Sequence, residues 1–327
     1  MVKRIKTKSH EEWLNLRKDG IGASEVGTIM LANEYQTPYM LWRRKKGLDE
    51  TSEDNNEAII WGHLLEDDVA QRFAMATGAE IIKASAEEWL YYDEEKPFMR
   101  VSPDRLFYEA GEKHTDANKV ILECKTSLVG ISEDNIPASY FCQVQYQMHV
   151  MEIHRAVLAW MNLSNRTFGY KWYIYDEDFC NNYLVPAVEE FWTRYIIGDE
   201  HPDPSTVGDI NRKFPRSIQG SQKVATDDEI SKAVELAHVK AQIKAIESSD
   251  VYASLVAKET ELKNDLKMMM EDNENLVTAD GRLILTYKSA KDEVIFDEMA
   301  ALEKYPELKI FYKTKAGNRT MLLKIKA

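Results

Sequence analysis

Cysteine is scarce in this chain: Cys124, Cys142 and Cys180 are the only three among 327 residues, and no two of them form a Cys-x-x-Cys pair. So small and dispersed a set excludes a disulfide framework and a thiolate zinc site, and it fits a reducing cytoplasm. Long apolar runs are missing as well. No stretch of about 18 apolar residues offers a membrane span, and the N-terminal segment lacks the charged-then-apolar pattern of an export signal. Positive charge is in deficit, with 42 Lys and Arg against 55 Asp and Glu and a net charge of −13. That balance excludes a protein that coats nucleic acid with its whole surface, though not one with a local basic channel. Candidates for such a channel are Lys3, Arg4, Lys6 and Lys8, then Arg43 to Lys46, then Lys309, Lys313, Lys315, Arg319, Lys324 and Lys326. Each taken singly reads as a solvated face. There is no internal repeat.

What is present is organised as one large domain with an appendage. Residues 9 to 32 read as helical around a break at Asp19 to Ala23, and Leu64 to Thr77 as an amphipathic helix closed by Gly78. Strand-like segments follow near Ile81, at Phe98–Val101, Arg105–Tyr108 and Val120–Lys125, with Glu109 to Lys119 as a long hairpin loop. A helix over Ala138–Met151, strands at Ala156–Met161 and Phe168–Tyr175, and a helix over Glu177–Ile197 complete the first domain, residues 1–200. The turn-rich stretch from Gly198 to Pro204 marks its end, and residues 201–222 read as a linker. In 223–327, Thr226 and Glu229 have capping-box spacing ahead of one helix, and Leu255, Leu262, Leu266 and Met269 stripe a second. Leu283–Tyr287, Ile310–Lys313 and Arg319–Lys326 read as strands, with a hairpin turn at Ala316 to Asn318.

The chemistry concentrates in the first domain. Val120 to Lys125 is an apolar strand that ends with Glu123 and Lys125 on one face, while Cys124 points to the other as a small core residue. Asp104 stands at a proline-marked break just before Arg105–Tyr108, so Asp104, Glu123 and Lys125 can meet at one end of a hairpin. Two hard carboxylates with an ammonium alongside are what a magnesium ion acting on a phosphodiester requires. Glu66 lies along the apolar stripe of its helix with Val69 and Phe73, where an unpaired carboxylate would be expensive. Tyr140, Gln143 and Gln147 share one helical face, and buried glutamines need polar partners. Arg17, Gly20, Gly22 and Ser24 have the form of a glycine turn opening a serine-capped helix, an anion site when an arginine is near. His149 and His154 read as ordinary helix and strand residues.

Five segments carry a resemblance: LeuArgLysAspGlyIleGlyAlaSerGluVal at 16–26, TrpGlyHisLeuLeuGluAspAspVal at 61–69, SerProAsp at 102–104, LeuGluCysLys at 122–125 and GlnValGlnTyrGlnMet at 143–148. In this order they resemble the phage-type alkaline exonucleases, the YqaJ-like branch of the PD-(D/E)xK nuclease superfamily that includes lambda exonuclease. The resemblance covers about residues 9 to 195. It implies an α/β (α+β) fold, a restriction-endonuclease-like core with a central mixed sheet flanked by helices. Residues 223–327 would then form a C-terminal extension of a helical pair and a small sheet.

By the same resemblance, Asp104, Glu123 and the Cys124 carbonyl would hold Mg²⁺, with Mn²⁺ as a substitute, and Glu66 would serve a second ion or its waters. Lys125 and Gln143 would orient the attacking water, and Arg17 and Ser24 would hold a terminal 5′ phosphate. The implied activity is 5′-to-3′ digestion of one strand of linear double-stranded DNA by a phage- or prophage-encoded homo-oligomer, a ring trimer in a bacterial cytoplasm. The 3′ single strands left behind would serve a single-strand annealing recombinase. Two alternatives stand beside it: a structure-specific or restriction-type endonuclease of the same fold, and a recombination scaffold with a vestigial site.

Overall fold

Val120 to Cys124 is buried at five consecutive positions, and both layers of the fold are built on that strand. The computed structural model describes residues 1–49, 57–82, 89–128, 130–216, 222, 224–270, 275–277, 283–286, 301–302 and 304–311. By its contacts the chain divides into two units, Met1–Lys213 and Phe214–Ala327.

In the first unit the buried strand, β7 (Val120–Ser127), lies in a five-stranded mixed sheet. Its other members are β3 (Glu80–Ile82), β6 (Arg105–Tyr108), β8 (Arg155–Asn162) and β9 (Thr167–Ile174), in the order β3-β6-β7-β8-β9. Strands β7 and β8 are parallel and the other neighbours antiparallel. A parallel pair needs a crossover, which α5 (Ala138–Met151) supplies. On the opposite face α4 (Glu57–Thr77) packs Val69, Ala70 and Phe73 against Val120, Leu122 and Cys124. Alternation turns Ile121 into the larger core with Val144 and Met148 of α5, so β7 is apolar on both faces because both are covered. Gly78, at φ +75°, ends α4 in the left-handed region that favours glycine.

A second sheet in this unit has the order β1-β4-β5-β2, from β1 (Val2–Lys6), β4 (Trp89–Asp93), β5 (Met99–Val101) and β2 (Ile21–Gly22). The expected helical stretch over residues 9 to 32 is α1 (His10–Lys18), capped by Ser9, and α2 (Ala23–Ile29), with β2 at the glycine break between them. Strands β1 and β4 had no counterpart in the sequence reading: charge dominates the first, and both find their partner across the chain. Helix α3 (Pro38–Lys45) follows, capped by Thr37 with proline in its first turn. The expected helix over 177–197 is a run of α turns at Glu177–Phe179 (α6) and Val185–Glu190 (α7) alternating with π turns at Cys180–Leu184 and Phe191–Ile197.

The segment 201–222, expected as a linker, carries α8 (Val207–Lys213), and its Asp209 is fully buried, accepting from the Thr37 hydroxyl at 3.0 Å. Turn residues gave the linker reading, and a long-range contact fixes this part of the segment instead.

In the second unit, α9 (Asp227–Glu247) and α10 (Asp250–Met270) are long helices. Thr226 and Glu229 make the expected capping box. A two-stranded sheet pairs β10 (Asn275–Val277) with β11 (Leu283–Thr286), so the strand expected from Leu283 forms, with a partner the sequence reading lacked. Ile310 and Phe311, expected to begin a strand, close a 3-10 turn at Pro306–Phe311 instead. The turn at Ala316 to Asn318 and the strand Arg319–Lys326 lie outside the described residues. Among the described residues no helix is long and apolar enough to cross a membrane.

Candidate active site

The β6–β7 hairpin assembles the site. Arg105 pairs with Leu122, so Asp104, one residue earlier, falls opposite Glu123. The Asp104 Oδ2 accepts the Cys124 N–H at 2.7 Å, which locks the carboxylate onto the strand that carries the other acid. Glu123 is 1 % exposed. A buried carboxylate demands donors, and it has three: Lys125 and the Gln143 amide on Oε1, each at 2.5 Å, and the Gln147 amide on Oε2 at 2.7 Å. The helical spacing of the two glutamines is thereby explained, since both reach the same strand residue from α5. Tyr140, on the same face, sets its ring 5.3 Å from the Lys125 ammonium.

Glu66 comes down from α4 and pairs with the Arg105 guanidinium at 2.5 Å. Burial first, then the Glu123 and Glu66 carboxylates, push Asp104 well above the usual carboxylate range. Burial likewise raises Glu66, against the opposing pull of Arg105. For Lys125 burial works against the ammonium, yet Glu123 and Asp104 outweigh it and raise its pKa above the lysine norm. The Cys124 thiol is pushed well up by burial, which suits the inert core residue expected from alternation.

The site thus holds three acids at close quarters against two cations. Among the described residues no group of three His, Cys, Asp or Glu side chains is already drawn together as a metal cage. Glu66 and Glu123 are instead turned to Arg105 and Lys125. The donor set nevertheless fits a hard divalent cation: oxygen ligands from Asp104 and Glu123 sit beside the Cys124 backbone, and Asp104 is destabilised as an anion by its acidic neighbours. The buried Gln147 Oε1 has no hydrogen-bond partner, so the clamp around Glu123 keeps one acceptor in reserve.

Arg17 and Ser24 meet as the glycine turn required: Arg17 Nη2 donates to Ser24 Oγ at 3.1 Å. The guanidinium lies 4.5 Å from the Trp13 ring, one helical turn earlier on α1, and Trp13 Nε1 donates to Ser102 Oγ at 3.1 Å. Trp13 therefore ties the arginine to the Ser-Pro-Asp segment. Gly20 has the steric role in this turn, for a Cβ there would sit 2.5 Å from the Phe98 carbonyl oxygen, whereas one at Gly22 would meet Arg17 Nη2 only at 3.4 Å. Beneath the turn, Lys45 pairs with Glu25 at 2.7 Å and donates to the Arg17 and Gly20 carbonyls. Arg44 joins Glu25 at 2.8 Å. Burial opposes ionisation of Glu25, but Lys45, Arg44 and Arg17 prevail and lower its pKa.

Each cation of the basic run Arg43 to Lys46 has a partner within the protein. Arg43 is engaged by Asp49, Arg44 and Lys45 by Glu25, and Lys46 by the Ile196 and Gly198 carbonyls. His149 and His154 are structural, both against Tyr175. Sequence reasoning did not single out Trp13 or Arg105. Trp13 carried a usable signal in its four-residue spacing from Arg17, whereas Arg105 carried none beyond adjacency to Asp104.

One cleft of about 320 Å³ unites the two halves: Arg17, Gly22 and Ser24 line it together with Glu66, Asp104, Glu123, Lys125 and Gln143.

Comparison with known proteins gives a family match that spans the residues of this cleft. Residues 12–154 match the YqaJ-like viral recombinase domain. The chain is 30% identical over 276 residues to the protein YqaJ of Bacillus subtilis (strain 168), covering 81% of this chain and 80% of that one. Among solved structures it is similar to an alkaline exonuclease, LHK-Exo, from Laribacter hongkongensis, with 18% identity, 57% of this chain and 93% of that one covered, and a TM-score of 0.44. A phage-related exonuclease from Haemophilus somnus 129PT is similar at 14% identity, 53% and 90% coverage and a TM-score of 0.36.

Proposed function

Because this chain belongs to the YqaJ-like viral recombinase family, we propose that it is a Mg²⁺-dependent 5′-to-3′ exonuclease that digests one strand of linear double-stranded DNA. The single observation that carries this reading is the shared cleft, in which an arginine–serine pair suited to a terminal phosphate lies with the Asp104–Glu123–Lys125 group. An end-dependent enzyme needs a grip on the end and a hydrolytic centre in one space.

In this reading Asp104, Glu123 and the Cys124 carbonyl hold the metal ion, Mn²⁺ substituting, and Glu66 serves a second ion or its waters. Bound there, the metal supplies polarisation of the scissile phosphate and a hydroxide near neutral pH. The chain's own groups do the rest. Gln143 and Gln147 fix the Glu123 carboxylate in one rotamer. Lys125, kept protonated by its acidic neighbours, stabilises charge that develops on the phosphate and, with Gln143, orients the attacking water. Arg17 and Ser24 take the 5′ phosphate, which carries more charge than an internal diester and accepts paired hydrogen bonds from a guanidinium. Each cleavage regenerates that phosphate for the same pocket. We place the enzyme as a ring-forming homo-oligomer, a trimer in the phage-type arrangement, working in the host cytoplasm and passing 3′ overhangs to a single-strand annealing recombinase.

The test is digestion of linear against covalently closed circular duplex, with 5′ phosphate or 5′ hydroxyl ends, with Mg²⁺ or EDTA. Loss of linear, 5′-phosphorylated duplex in Mg²⁺ alone is expected. Cleavage of closed circles would make the protein an endonuclease of the same fold, and inactivity with Mg²⁺ would make it a recombination scaffold.

A further inference from the structure

Of the three acids at the hairpin, Glu66 is the one held by an arginine. Arg105 Nη1 donates at 2.5 Å both to Glu66 Oε1 and to the Asp104 carbonyl oxygen, so a single nitrogen ties the acid of α4 to the residue that bears the next acid. Asp104 has instead a backbone N–H on its carboxylate, and Glu123 a lysine and two amides. The Arg105 and Glu66 side chains are 11 % and 15 % exposed, and both residues line the cleft. The other terminal nitrogen, Nη2, reaches Asp67 at 3.4 Å, but that carboxylate is 65 % exposed and solvent screens the contact. Burial works against the guanidinium, and the nearby anions, Glu66 foremost and Asp104 with it, outweigh burial and hold its pKa up.

A cation of the same chain thus neutralises one acid of the cleft. Loading a divalent ion onto Glu66 calls for the oxygen that Arg105 now occupies, and it would set two positive charges at contact range in a buried place where screening is weak. The guanidinium and the ion are therefore alternative partners for this carboxylate. The arginine also has somewhere to go, because Asp67, the next residue of α4, is already beside Nη2 and open to solvent.

We propose that Arg105 is a positioning residue that competes with the second ion for Glu66, so that the protein free of DNA takes one divalent cation, on Asp104 and Glu123, far more readily than two. The proposal rests on the nuclease reading and deepens it: Glu66 serves a second ion only after the guanidinium has swung off it. The affinity of the second site is then set by a residue that does not ligate metal.

The experiment is titration of the metal-free, full-length protein with Mn²⁺ in the absence of DNA, read by calorimetry and by the paramagnetic resonance of free Mn²⁺. The wild-type protein is compared with Arg105→Met, Arg105→Gln and the double variant Arg105→Gln/Glu66→Gln. The wild-type isotherm should show one tight site and a weak second one. Removing the guanidinium should tighten the second site about ten-fold, the scale of one charge-assisted contact, with a smaller change at the first. The double variant should lose that gain, which separates competition for Glu66 from a mere rearrangement of the hairpin. Should Arg105→Met fail to fold, Arg105→Gln, which keeps a donor for the Asp104 carbonyl, carries the test. Two equally tight sites in the wild-type protein, or an Arg105→Gln isotherm that matches the wild type, overturns the competition alone and leaves digestion of linear duplex to judge the nuclease reading. A wild-type protein that takes no Mn²⁺ and digests no duplex overturns both.

Discussion

Two glutamate–lysine pairs serve the same cleft, and they are balanced in opposite ways. Beneath the glycine turn, Glu25 is surrounded by Lys45, Arg44 and Arg17, so cations outnumber the anion and its pKa is lowered. At the hairpin, Lys125 faces Glu123 and Asp104, with Glu66 near, so anions are in excess and Asp104 is pushed up. The first arrangement is complete as it stands, while the second is short of positive charge. A buried cluster with surplus anions costs stability unless something else compensates, and such places mark functional sites more often than structural ones.

The largest effect that would break this contrast is on activity. Glu123→Gln or Asp104→Asn should reduce digestion of linear duplex by at least about a thousand-fold, judged from the scale of such electrostatic contributions, with DNA binding in EDTA retained. Near wild-type cleavage by either variant would displace the metal site from this hairpin. The complementary test strikes the balanced pair. Lys45→Met leaves Glu25 buried with only its arginine partners and should cost about 3 kcal/mol in urea unfolding. A cost below about 0.5 kcal/mol would make the pair ornamental.

A smaller effect is expected at the phosphate grip. Arg17→Ala should erase most of the preference for a 5′ phosphate over a 5′ hydroxyl, about ten-fold for the loss of one charge-assisted contact. Equal slowing of both substrates would reassign Arg17 to general DNA contact or structure. Smaller still, Asp104→Asn should raise the melting temperature in EDTA by a few degrees, at about 2–4 °C per kcal/mol, because the amide still accepts the Cys124 N–H without the like-charge repulsion. An unchanged or lower melting point would contradict the anion surplus.

The two acids also differ in sign with pH. Glu25 has a lowered folded pKa, so its stabilisation is present above the ordinary value of 4.5 and is lost as pH falls through the folded value. Asp104 has a raised folded pKa, so its ionisation weakens the metal-free protein as pH climbs above the ordinary value of 3.8. Glu25→Gln should therefore flatten the climb of stability out of acid, whereas Asp104→Asn removes an opposing fall and should make the climb above pH 3.8 steeper.

Much of this site was legible because short-range rules governed it. Alternation placed Glu123 and Lys125 on one face and Cys124 on the other, helical spacing put Gln143 and Gln147 together, and the glycine turn brought Arg17 to Ser24. The basic run Arg43 to Lys46 was not legible. A row of cations reads the same whether it faces solvent or a buried glutamate nineteen residues upstream, and only the fold turns Arg44 onto Glu25. Strand β1 was hidden for a similar reason, since its charges mask a strand whose partner is β4, more than eighty residues on. Asp209 shows the same limit, with its partner Thr37 separated by 172 positions.

The sequence by itself determined which local element each candidate residue rides on, because side-chain period and turn stereochemistry act over a few residues. The tertiary structure alone decided which charges are spent and which are left over. The pKa of Asp104, the engagement of Glu66 by Arg105 and the burial of Lys45 depend on distance and dielectric between segments far apart in the chain, and no periodicity encodes them.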